Sequence, residues 1–304
     1  MEAAHSPTAA TDRITIRLGH SPDPDDAFMW WPLFELDGKP AALDTGRFRF
    51  EQVCQDIQSL NERSRLGDLE ITALSMHQYA HVAERYLLTA CGASLGKAYG
   101  PKLVAREKMP LEALRNPGVT IAIPGEQTTA FLALSLLLGP GSFRTRSLSF
   151  ETIIEAVASG ECEAGLIIHE GQLTFAEAGL SELADMGRWW HETHGLPLPL
   201  GGNALRRDLD DLHGPGTLVG IAELLEQSIR YALEHRREGL TFALDYARDM
   251  TQTQADEFVA MYVNDYTLDV GEVGERAVRT LLQAGHAAGL TPDTGEIGFL
   301  RGPR

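Results

Sequence analysis

Strand and helix patterns alternate along the first two thirds of this chain, and the alternation occurs in two successive series. In the first series, short β-branched runs at residues 14–19 and 70–75 each lead into a segment with helical spacing of apolar residues. The second series begins with a buried-type strand at 119–124 and ends near His194. From Thr217 onward only helical patterns follow. Repeated strand–helix units predict an α/β fold with parallel sheets flanked by helices.

Two boundaries divide the chain into two lobes. The first series ends and the second begins near Arg106, and a Pro/Gly-rich segment at 196–202 marks the point where the chain is expected to return to the first lobe. We expect a larger lobe from residues 1–105 plus 198–304 and a smaller lobe from residues 106–197. The prolines of the return cannot donate to a sheet ladder, so it is expected to be an edge or crossing segment, and residues 183–194 are expected to form one helix. The strand ends then face a cleft between the lobes, which is the expected ligand site.

The charge balance excludes several classes of partner. The chain has 43 acidic and 26 basic residues, a net charge of −17, and the basic residues are scattered. Such a chain repels nucleic-acid phosphates and anionic lipid headgroups, so we expect neither nucleic acid nor a membrane as a partner. No stretch approaches the ~18 continuous apolar residues of a membrane helix. The sequence carries no prediction of oligomeric state.

The cysteines and the N-terminus indicate the compartment. Cys54, Cys91 and Cys162 are too few and too far apart for a disulfide framework or a thiolate zinc site. An odd number of scattered thiols is typical of a reducing compartment. Residues 1–12 lack the cationic start and apolar stretch of a secretory signal. These features predict a cytoplasmic protein.

The first polar cluster follows the first strand. Residues 21–26 read Ser-Pro-Asp-Pro-Asp-Asp, a turn in which Ser21 and the carboxylates can hold ligand hydroxyls beside the free amides of a helix N-terminus. Helix capping combined with a rigid turn explains the same residues. Three carboxylates in four residues also suit Mg²⁺ or Ca²⁺, but the spacing lacks the longer calcium loop and its distal Glu. We therefore predict no metal here and leave capping and ligand binding open.

Two more clusters lie at the ends of later strands. Ser75 can contact a ligand or cap the helix that follows. His77 and His81 share a helix face at a spacing that can bind zinc, but no His-Glu-x-x-His motif surrounds them, so a surface or partly buried role is expected. Thr128 and Thr129 stand before an apolar helix, where the helix dipole and free amides favour a carboxylate or phosphate. Capping alone also accounts for Thr128.

The fourth cluster contains the candidate base. His169 directly follows the apolar strand at 164–168, and the pKa of a histidine lets it act as a base near neutral pH. Glu170 or a backbone carbonyl can fix its tautomer. A purely structural histidine is the alternative. The residues alone thus predict a small, anionic ligand in an interlobe cleft beside one histidine.

Several motifs occur in the order of a known family. The segment at 21–28, Ser-Pro-Asp-Pro-Asp-Asp-Ala-Phe, is similar to a Ser-Pro-Cys-Pro-Asn-Asp-Thr-Phe opening, and the segment at 163–170 ends in Ile-Ile-His-Glu. Further matches follow at 121–125, 128–130, 173–175, 186–190, 195–201 and 268–278. Over nearly its whole length, the chain therefore resembles the 1,4-dihydroxy-6-naphthoate synthases of the futalosine route to menaquinone.

This resemblance implies a two-lobed fold like that of periplasmic solute-binding proteins. It also implies a lyase that cleaves cyclic dehypoxanthine futalosine to 1,4-dihydroxy-6-naphthoate without a metal or an organic cofactor. His169 matches the proton acceptor of the family. Together with Ser21 of the opening turn, the expected substrate-binding residues are Ala73, Leu74, Ser75, Thr128 and Thr129.

Two departures from the family pattern concern charge. Ala73 stands where the family carries a lysine, and Asp23 and Asp25 replace a cysteine and an asparagine. Both changes make the predicted cleft less favourable for a carboxylate, so either the substrate differs or another cation, Lys97 or Lys102, compensates. The alternatives to this lyase are a solute-binding protein of the same fold and a chorismate dehydratase-like lyase.

Overall fold

The strands of this chain form two separate sheets. A computed structural model describes residues 13–169, 171–247 and 250–303. Its strands are β1 (Ile14–His20), β2 (Phe48–Cys54), β3 (Ile71–Ser75), β4 (Tyr86–Thr89), β5 (Ser94–Gly96), β6 (Lys102–Ala105), β7 (Thr120–Ile123), β8 (Arg144–Ser147), β9 (Ala164–Ile167), β10 (Ser181–Asp185), β11 (Leu198–Arg206) and β12 (Phe299–Leu300). The first sheet has the order β12-β4-β11-β3-β1-β2, with β5 also paired to β11, and the second has the order β10-β6-β9-β7-β8.

Helices connect these strands and then fill most of the chain after β11. They are α1 (Pro24–Trp30), α2 (Ile57–Ser64), α3 (Met76–Val82), α4 (Thr129–Leu138), α5 (Phe150–Ala158), α6 (Gly171–Thr174), α7 (Met186–His194), α8 (Leu209–His213), α9 (Thr217–Glu234), α10 (Arg236–Ala243), α11 (Gln252–Tyr262), α12 (Asp265–Leu268) and α13 (Gly271–Ala287). Short 3-10 turns occur at Trp31–Leu33, Leu111–Arg115 and Leu244–Tyr246. None of the helices in the described ranges has both the length and the apolarity to cross a membrane.

The sheets are mixed rather than purely parallel. The strand–helix units pair in parallel, as predicted: β1 with β2 and β3, and β7 with β8 and β9. Two strands run antiparallel to their neighbours. β6, the first strand of the second sheet along the chain, is antiparallel to β9 and β10. β11, with which the chain returns to the first sheet, is antiparallel to β3 and β4. Because β6 pairs with β9 and β10, Lys102–Ala105 is part of the second sheet. The return begins at Leu198.

One of two local predictions about strands is wrong. β11 pairs with β3 and β4 from Gly201 onward, whereas Leu198 and Pro199, in the segment expected to be an edge or crossing, pair with β5. The strand tolerates Pro199 because the register shifts between Pro199 and Gly201, and a bulge does not need the missing amide hydrogen. The helix expected over 183–194 begins only at Met186, since the Asp185 side chain accepts the amides of Gly187 and Arg188 and caps the helix there.

The largest apolar cluster joins the two sheets. It includes Leu74 of β3, Leu132 of α4, Trp190 of α7, Leu198 of β11 and Val278 of α13, all of them fully buried. A second cluster lies between the first sheet and helices α1, α9, α10 and α11, and a third lies between the second sheet and α5. Side chains of this size each contribute about 1.5–3 kcal/mol or more when buried. The lobes are therefore packed together along one side, which leaves the strand ends to form the opposite side of the junction.

Candidate active site

One cavity lies where strand ends from both sheets meet. The space between its walls is about 830 Å³, part of it open to solvent. The turns after β1 and β3 of the first sheet, and after β7 and β9 of the second, contribute to its lining. All the predicted site residues line this cavity, namely Ser21, Ala73, Leu74, Ser75, Thr128, Thr129 and His169. The structure thus brings together four segments that lie far apart in the sequence.

His169 occupies a strained position two residues beyond the central strand β9. Its backbone φ is +56°, in the left-handed region, which costs a residue with a β-carbon about 1–2 kcal/mol. The edge of the Phe150 ring packs against the imidazole at a centroid distance of 4.5 Å. The imidazole Nδ1 lies 2.8 Å from Oδ2 of Asp23. Backbone strain of this kind, held in place by packing, is typical of functional sites.

The contact with Asp23 favours one tautomer of His169. An ionised carboxylate can only accept a hydrogen bond, so the contact favours a hydrogen on Nδ1, which in a neutral imidazole leaves the lone pair on Nε2. Asp23 is thus a partner of His169 that the motifs did not indicate, and the role predicted for Glu170, which lies outside the described residues, stays a prediction. The motifs gave no indication of a contact between Asp23 and His169, because the two residues follow strands of different sheets and share no local pattern.

In the acidic turn after β1, the Ser21 hydroxyl contacts the carboxyl groups of both Asp23 and Asp26. Ser21 Oγ lies 2.6 Å from Asp23 Oδ2 and 2.7 Å from Asp26 Oδ2, but a hydroxyl has one proton to donate. The second contact therefore requires a carboxyl proton. Burial is the largest cause that raises the pKa of Asp26, whereas the hydrogen bonds from Ser21 act in the opposite direction. Burial, followed by the charges of Asp26 and Asp23, raises the pKa of Asp25 well above its usual value.

The neighbouring His20 does not supply a compensating positive charge. Its Nδ1 lies 2.7 Å from the Ser21 carbonyl oxygen, and its Nε2 lies 2.8 Å from the side-chain nitrogen of Gln52, which can only donate. This pattern fits a neutral imidazole with its hydrogen on Nδ1. Burial lowers the pKa of His20, in agreement with the neutral form.

Ser75 does not cap the helix that it precedes. It stands at the N-cap position of α3 without a capping hydrogen bond from its side chain. Instead Asn61 Nδ2 donates to Ser75 Oγ, and the Ser75 amide donates to Asn61 Oδ1, both at 3.0 Å. Because its oxygen accepts from Asn61, the Ser75 hydroxyl keeps its own proton for a ligand in the cavity.

The two threonines at the start of α4 bond within the protein. Thr128 Oγ1 accepts from the Phe131 amide at 3.2 Å and donates to the Gly125 carbonyl at 2.7 Å, so Thr128 caps the helix. Thr129 Oγ1 donates to the carbonyl of Leu200. Within the described chain, the first-turn amides of Thr129 and Ala130 have no hydrogen-bond acceptor. These amides, at the positive end of the helix dipole, are the groups that can bind an anion.

No lysine or arginine lines the cavity in the described part of the chain. Lys102 is paired with Glu182 at 2.7 Å and Asp185 at 3.0 Å, and Lys97 lines a separate groove beside Tyr99. Neither lysine therefore compensates for Ala73 in this arrangement. An anionic ligand would depend on backbone amides and hydroxyls instead.

The sequence motifs gave no indication of the residues that reach the cavity from α11. Tyr262 and Phe258 line it, and the Gln172 side chain donates to the Tyr262 hydroxyl at 2.8 Å. Burial raises the pKa of Tyr262, so the phenol stays neutral. Gln172 belongs to the fourth polar cluster, whereas the apolar periodicity of α11 offered no signal beyond that of a core helix.

The described residues contain no group of three or more His, Cys, Asp or Glu side chains placed to hold a metal ion. The ring nitrogens of His77 lie near two backbone carbonyls, those of Thr128 at 3.3 Å and Leu290 at 3.4 Å. Burial lowers the pKa of His77. Its contacts are those of a buried, hydrogen-bonded histidine.

Comparison with known proteins agrees with this architecture. Solved structures similar to this one include a protein from Archaeoglobus fulgidus, with a TM-score of 0.80 and 38% identity, covering 91% of this chain and 98% of that one. The alkanesulfonate-binding protein of Xanthomonas axonopodis pv. citri has a TM-score of 0.65 at 13% identity, covering 94% and 96% of the two chains. The latter likeness concerns the fold alone. It confirms the predicted two-lobed, periplasmic-binding-protein-like α/β fold.

Sequence comparison identifies the family. The chain is 42% identical to the 1,4-dihydroxy-6-naphthoate synthase of Thermus thermophilus, covering 90% of this chain and 95% of that protein. It is 34% identical to the protein of the same name from Streptomyces coelicolor, covering 92% and 96%. The profile of the family described as "Menaquinone biosynthesis" matches residues 16–287. The chain therefore belongs to the menaquinone biosynthesis family, as its motifs predicted.

Proposed function

We propose that this enzyme is a cytoplasmic lyase that converts cyclic dehypoxanthine futalosine to 1,4-dihydroxy-6-naphthoate. The observation that carries the proposal is the position of His169 in the cavity wall, with Nδ1 2.8 Å from Asp23 Oδ2, a contact that favours a basic Nε2. The names of the two relatives support the product. The scattered free thiols, two buried and one exposed, suit a reducing compartment.

His169 acts as the general base. Its Nε2 takes an acidic C–H proton from the bound spirocyclic substrate, and the electron pair of that bond moves into the ring system. The bond to the sugar-derived fragment then breaks, the fragment leaves with the bonding electrons, and the proton held by His169 is available to it. Aromatisation of the naphthoate drives the step, so one positioned base, worth about 10²–10⁴-fold in rate, is sufficient.

Backbone amides and one hydroxyl bind the substrate carboxylate. The amides of Thr129 and Ala130 lie at the N-terminus of α4, where the helix dipole favours an anion. The hydroxyl proton of Ser75 adds a further donor, and Ala73 and Leu74 supply apolar wall for the ring. These groups replace the lysine that the family pattern places at residue 73.

Contacts between the two lobes exclude water and align the substrate. We treat the first sheet with the C-terminal helices as one lobe and the second sheet as the other. Asp23 with His169, and Tyr262 with Gln172, are pairs whose members come from different lobes. Closing the lobes over a substrate brings the base, the amides and the walls into one arrangement.

The proposal is tested by incubating the purified protein with cyclic dehypoxanthine futalosine and detecting the naphthoate by mass spectrometry. We expect product from the wild type, at least about 10²-fold less from His169→Ala and His169→Gln, and normal turnover from His191→Ala, which alters an exposed histidine on α7. Near-wild-type turnover by His169→Ala would overturn the role of His169. Binding without product would instead favour a solute-binding protein, and no binding would require an assay with chorismate.

A further inference from the structure

We propose that Asp23 is a positioning residue for His169, which sets the tautomer of the base and does so only when the two lobes are together. The catalytic meaning of this inference rests on the proposed function. The structural part does not, because it concerns a hydrogen bond that exists with or without the substrate. It also explains why this chain carries a carboxylate at a position where the family motif has a cysteine.

The Asp23 side chain is committed to His169 and not to its own helix. Asp23 stands at the N-cap position of α1, yet its side chain makes no capping hydrogen bond. Aspartate is among the preferred N-cap residues, and a cap stabilises a helix by about 1 kcal/mol. Asp23 Oδ2 instead lies 2.8 Å from His169 Nδ1 and 2.6 Å from Ser21 Oγ. The local stabilisation is given up for a contact across the cavity.

The pair is buried and held from both sides. The Asp23 side chain is 4% exposed and the His169 side chain 14% exposed. Phe150 packs against the imidazole from α5, and Ser21 orients the carboxylate. A hydrogen bond between charged or polar groups is stronger in such a setting than in water, and breaking one partner leaves the other unsatisfied.

The two partners belong to different lobes. Asp23 follows β1 of the first sheet, and His169 follows β9 of the second. Separating the lobes would break the hydrogen bond between Asp23 and His169 and remove the preference that the carboxylate gives to a hydrogen on Nδ1. The effect of Asp23 on the tautomer is therefore present only in the closed arrangement, which couples it to closure.

Other titratable groups surround the pair. Asp25 and Asp26 on α1 and Tyr262 on α11 line the same cavity, and Glu151, exposed on α5, adjoins the packed Phe150. Burial is the largest cause that raises the pKa values of Asp25, Asp26 and Tyr262. Asp23 is a group in direct contact with the imidazole, at 2.8 Å from Nδ1.

The experiment compares Asp23→Asn, Asp23→Cys and Asp23→Glu with the wild type and with Asp44→Asn, a control at an exposed turn. Long-range ¹H–¹⁵N spectra of the imidazoles, with the His169 signals assigned from His169→Gln, report the tautomer without any substrate. We expect the Nδ1–H form in the wild type and in Asp23→Glu. In Asp23→Asn the side-chain amide can donate to Nδ1, so we expect the population of the Nε2–H tautomer to increase. Asp23→Cys should show a mixture of the two tautomers.

Kinetics give a second, independent readout. We expect kcat/KM of Asp23→Asn to fall between ~10-fold and ~10⁴-fold, the range for partners that orient a histidine, with recovery in Asp23→Glu. The acid limb of the pH profile should move to lower pH, because the lost carboxylate no longer favours the imidazolium. Asp23→Asn combined with His169→Gln should be no slower than His169→Gln alone.

Each outcome decides the proposal. An unchanged tautomer in Asp23→Asn, an unmoved acid limb, or losses that add in the double variant would overturn it. Should Asp23→Asn fail to fold by circular dichroism, Asp23→Cys and Asp23→Glu carry the same comparison. If the wild type does not turn over the futalosine, the proposed function fails, but the tautomer spectra still support or overturn the positioning role.

Discussion

Replacing Asn61 with alanine tests how the cavity wall at Ser75 is held. Asn61 on α2 is fully buried, and it makes two hydrogen bonds of 3.0 Å to Ser75, one to the hydroxyl and one from the amide. The substitution removes both bonds. The Ser75 amide is then buried without its acceptor, and the hydroxyl loses the donor that orients its proton toward the cavity.

The magnitude follows from these two bonds. An unsatisfied buried amide costs about 1–3 kcal/mol, and the second hydrogen bond contributes about 0.5–1.5 kcal/mol, so Asn61→Ala should lower the free energy of unfolding by about 2–4 kcal/mol. At about 2–3 °C per kcal/mol for a chain of this size, the Tm should fall by about 4–12 °C. If Ser75 also binds substrate, its misplaced hydroxyl should raise KM by about 2- to 10-fold.

Thermal unfolding by circular dichroism measures the stability and steady-state turnover measures KM. Asn116→Ala is the matched control, because the Asn116 side chain also accepts a backbone amide, that of Gly118 at 2.9 Å, but on an exposed turn. That control should change stability by less than about 0.5 kcal/mol. A melting temperature of Asn61→Ala within about 1 °C of the control would refute the argument that Asn61 satisfies the Ser75 amide.

Three further predictions concern charge and capping. Thr128→Ala should lower the free energy of unfolding, measured with denaturant, by about 1 kcal/mol, because the Thr128 hydroxyl caps α4. Thr128→Ser keeps the hydroxyl and should unfold like the wild type, so equal stability of the two variants would contradict the capping role. Since burial raises the pKa of Asp25 well above its usual value, Asp25→Asn should change KM less than about 3-fold, whereas a more than 10-fold gain in affinity at low salt would reveal an ionised carboxylate. Burial by itself raises the pKa of Glu70, but hydrogen bonds and charge from Arg17, with the charge of Arg206, outweigh it and lower that pKa. The Glu70 contribution is therefore present above its unfolded pKa of about 4.3 and lost as pH falls below it, so Glu70→Gln should flatten the acid side of the stability profile, measured by unfolding at several pH values.

Local patterns were sufficient for most elements of the fold. A β-branched run predicts β1 and an apolar run predicts β9. Both patterns, alternating or continuous apolar residues, lie in the local sequence of the strand and need no knowledge of its partners. The placement of His169 followed from the same information, since it directly follows such a run. Strand ends on a shared sheet edge converge, which is why the predicted residues lie around one cavity.

Features that depend on the partner strand could not be predicted in this way. The register shift beside Pro199 is one such feature, because it occurs in the pairing with β5. Leu183 and Ala184 continue the apolar pattern into α7, and their strand state depends on pairing with β6. Likewise, no periodicity links Tyr262 of α11 to the cavity, because that contact depends on how the C-terminal helices fold back over the first sheet.

The acidic turn shows why a count of formal charges misjudged this cavity. The net charge of −17 treats every carboxylate as ionised, and three of them occur together at residues 23–26. In the fold, burial raises the pKa values of Asp25 and Asp26, and Asp23 is paired with His169, so these carboxylates do not act as three independent surface charges.

The charge of the Asp23–His169 pair changes during the proposed reaction. Before proton transfer the pair consists of a carboxylate and a neutral imidazole, with one negative charge in total. Afterwards it consists of a carboxylate and an imidazolium, with no net charge. Its repulsion of an anionic substrate therefore decreases as the proton moves to Nε2. An interaction that improves toward the transition state lowers the barrier, whereas one that is equally strong throughout does not. The aspartate that seemed to oppose substrate binding thus favours the chemical step once it is paired with the base.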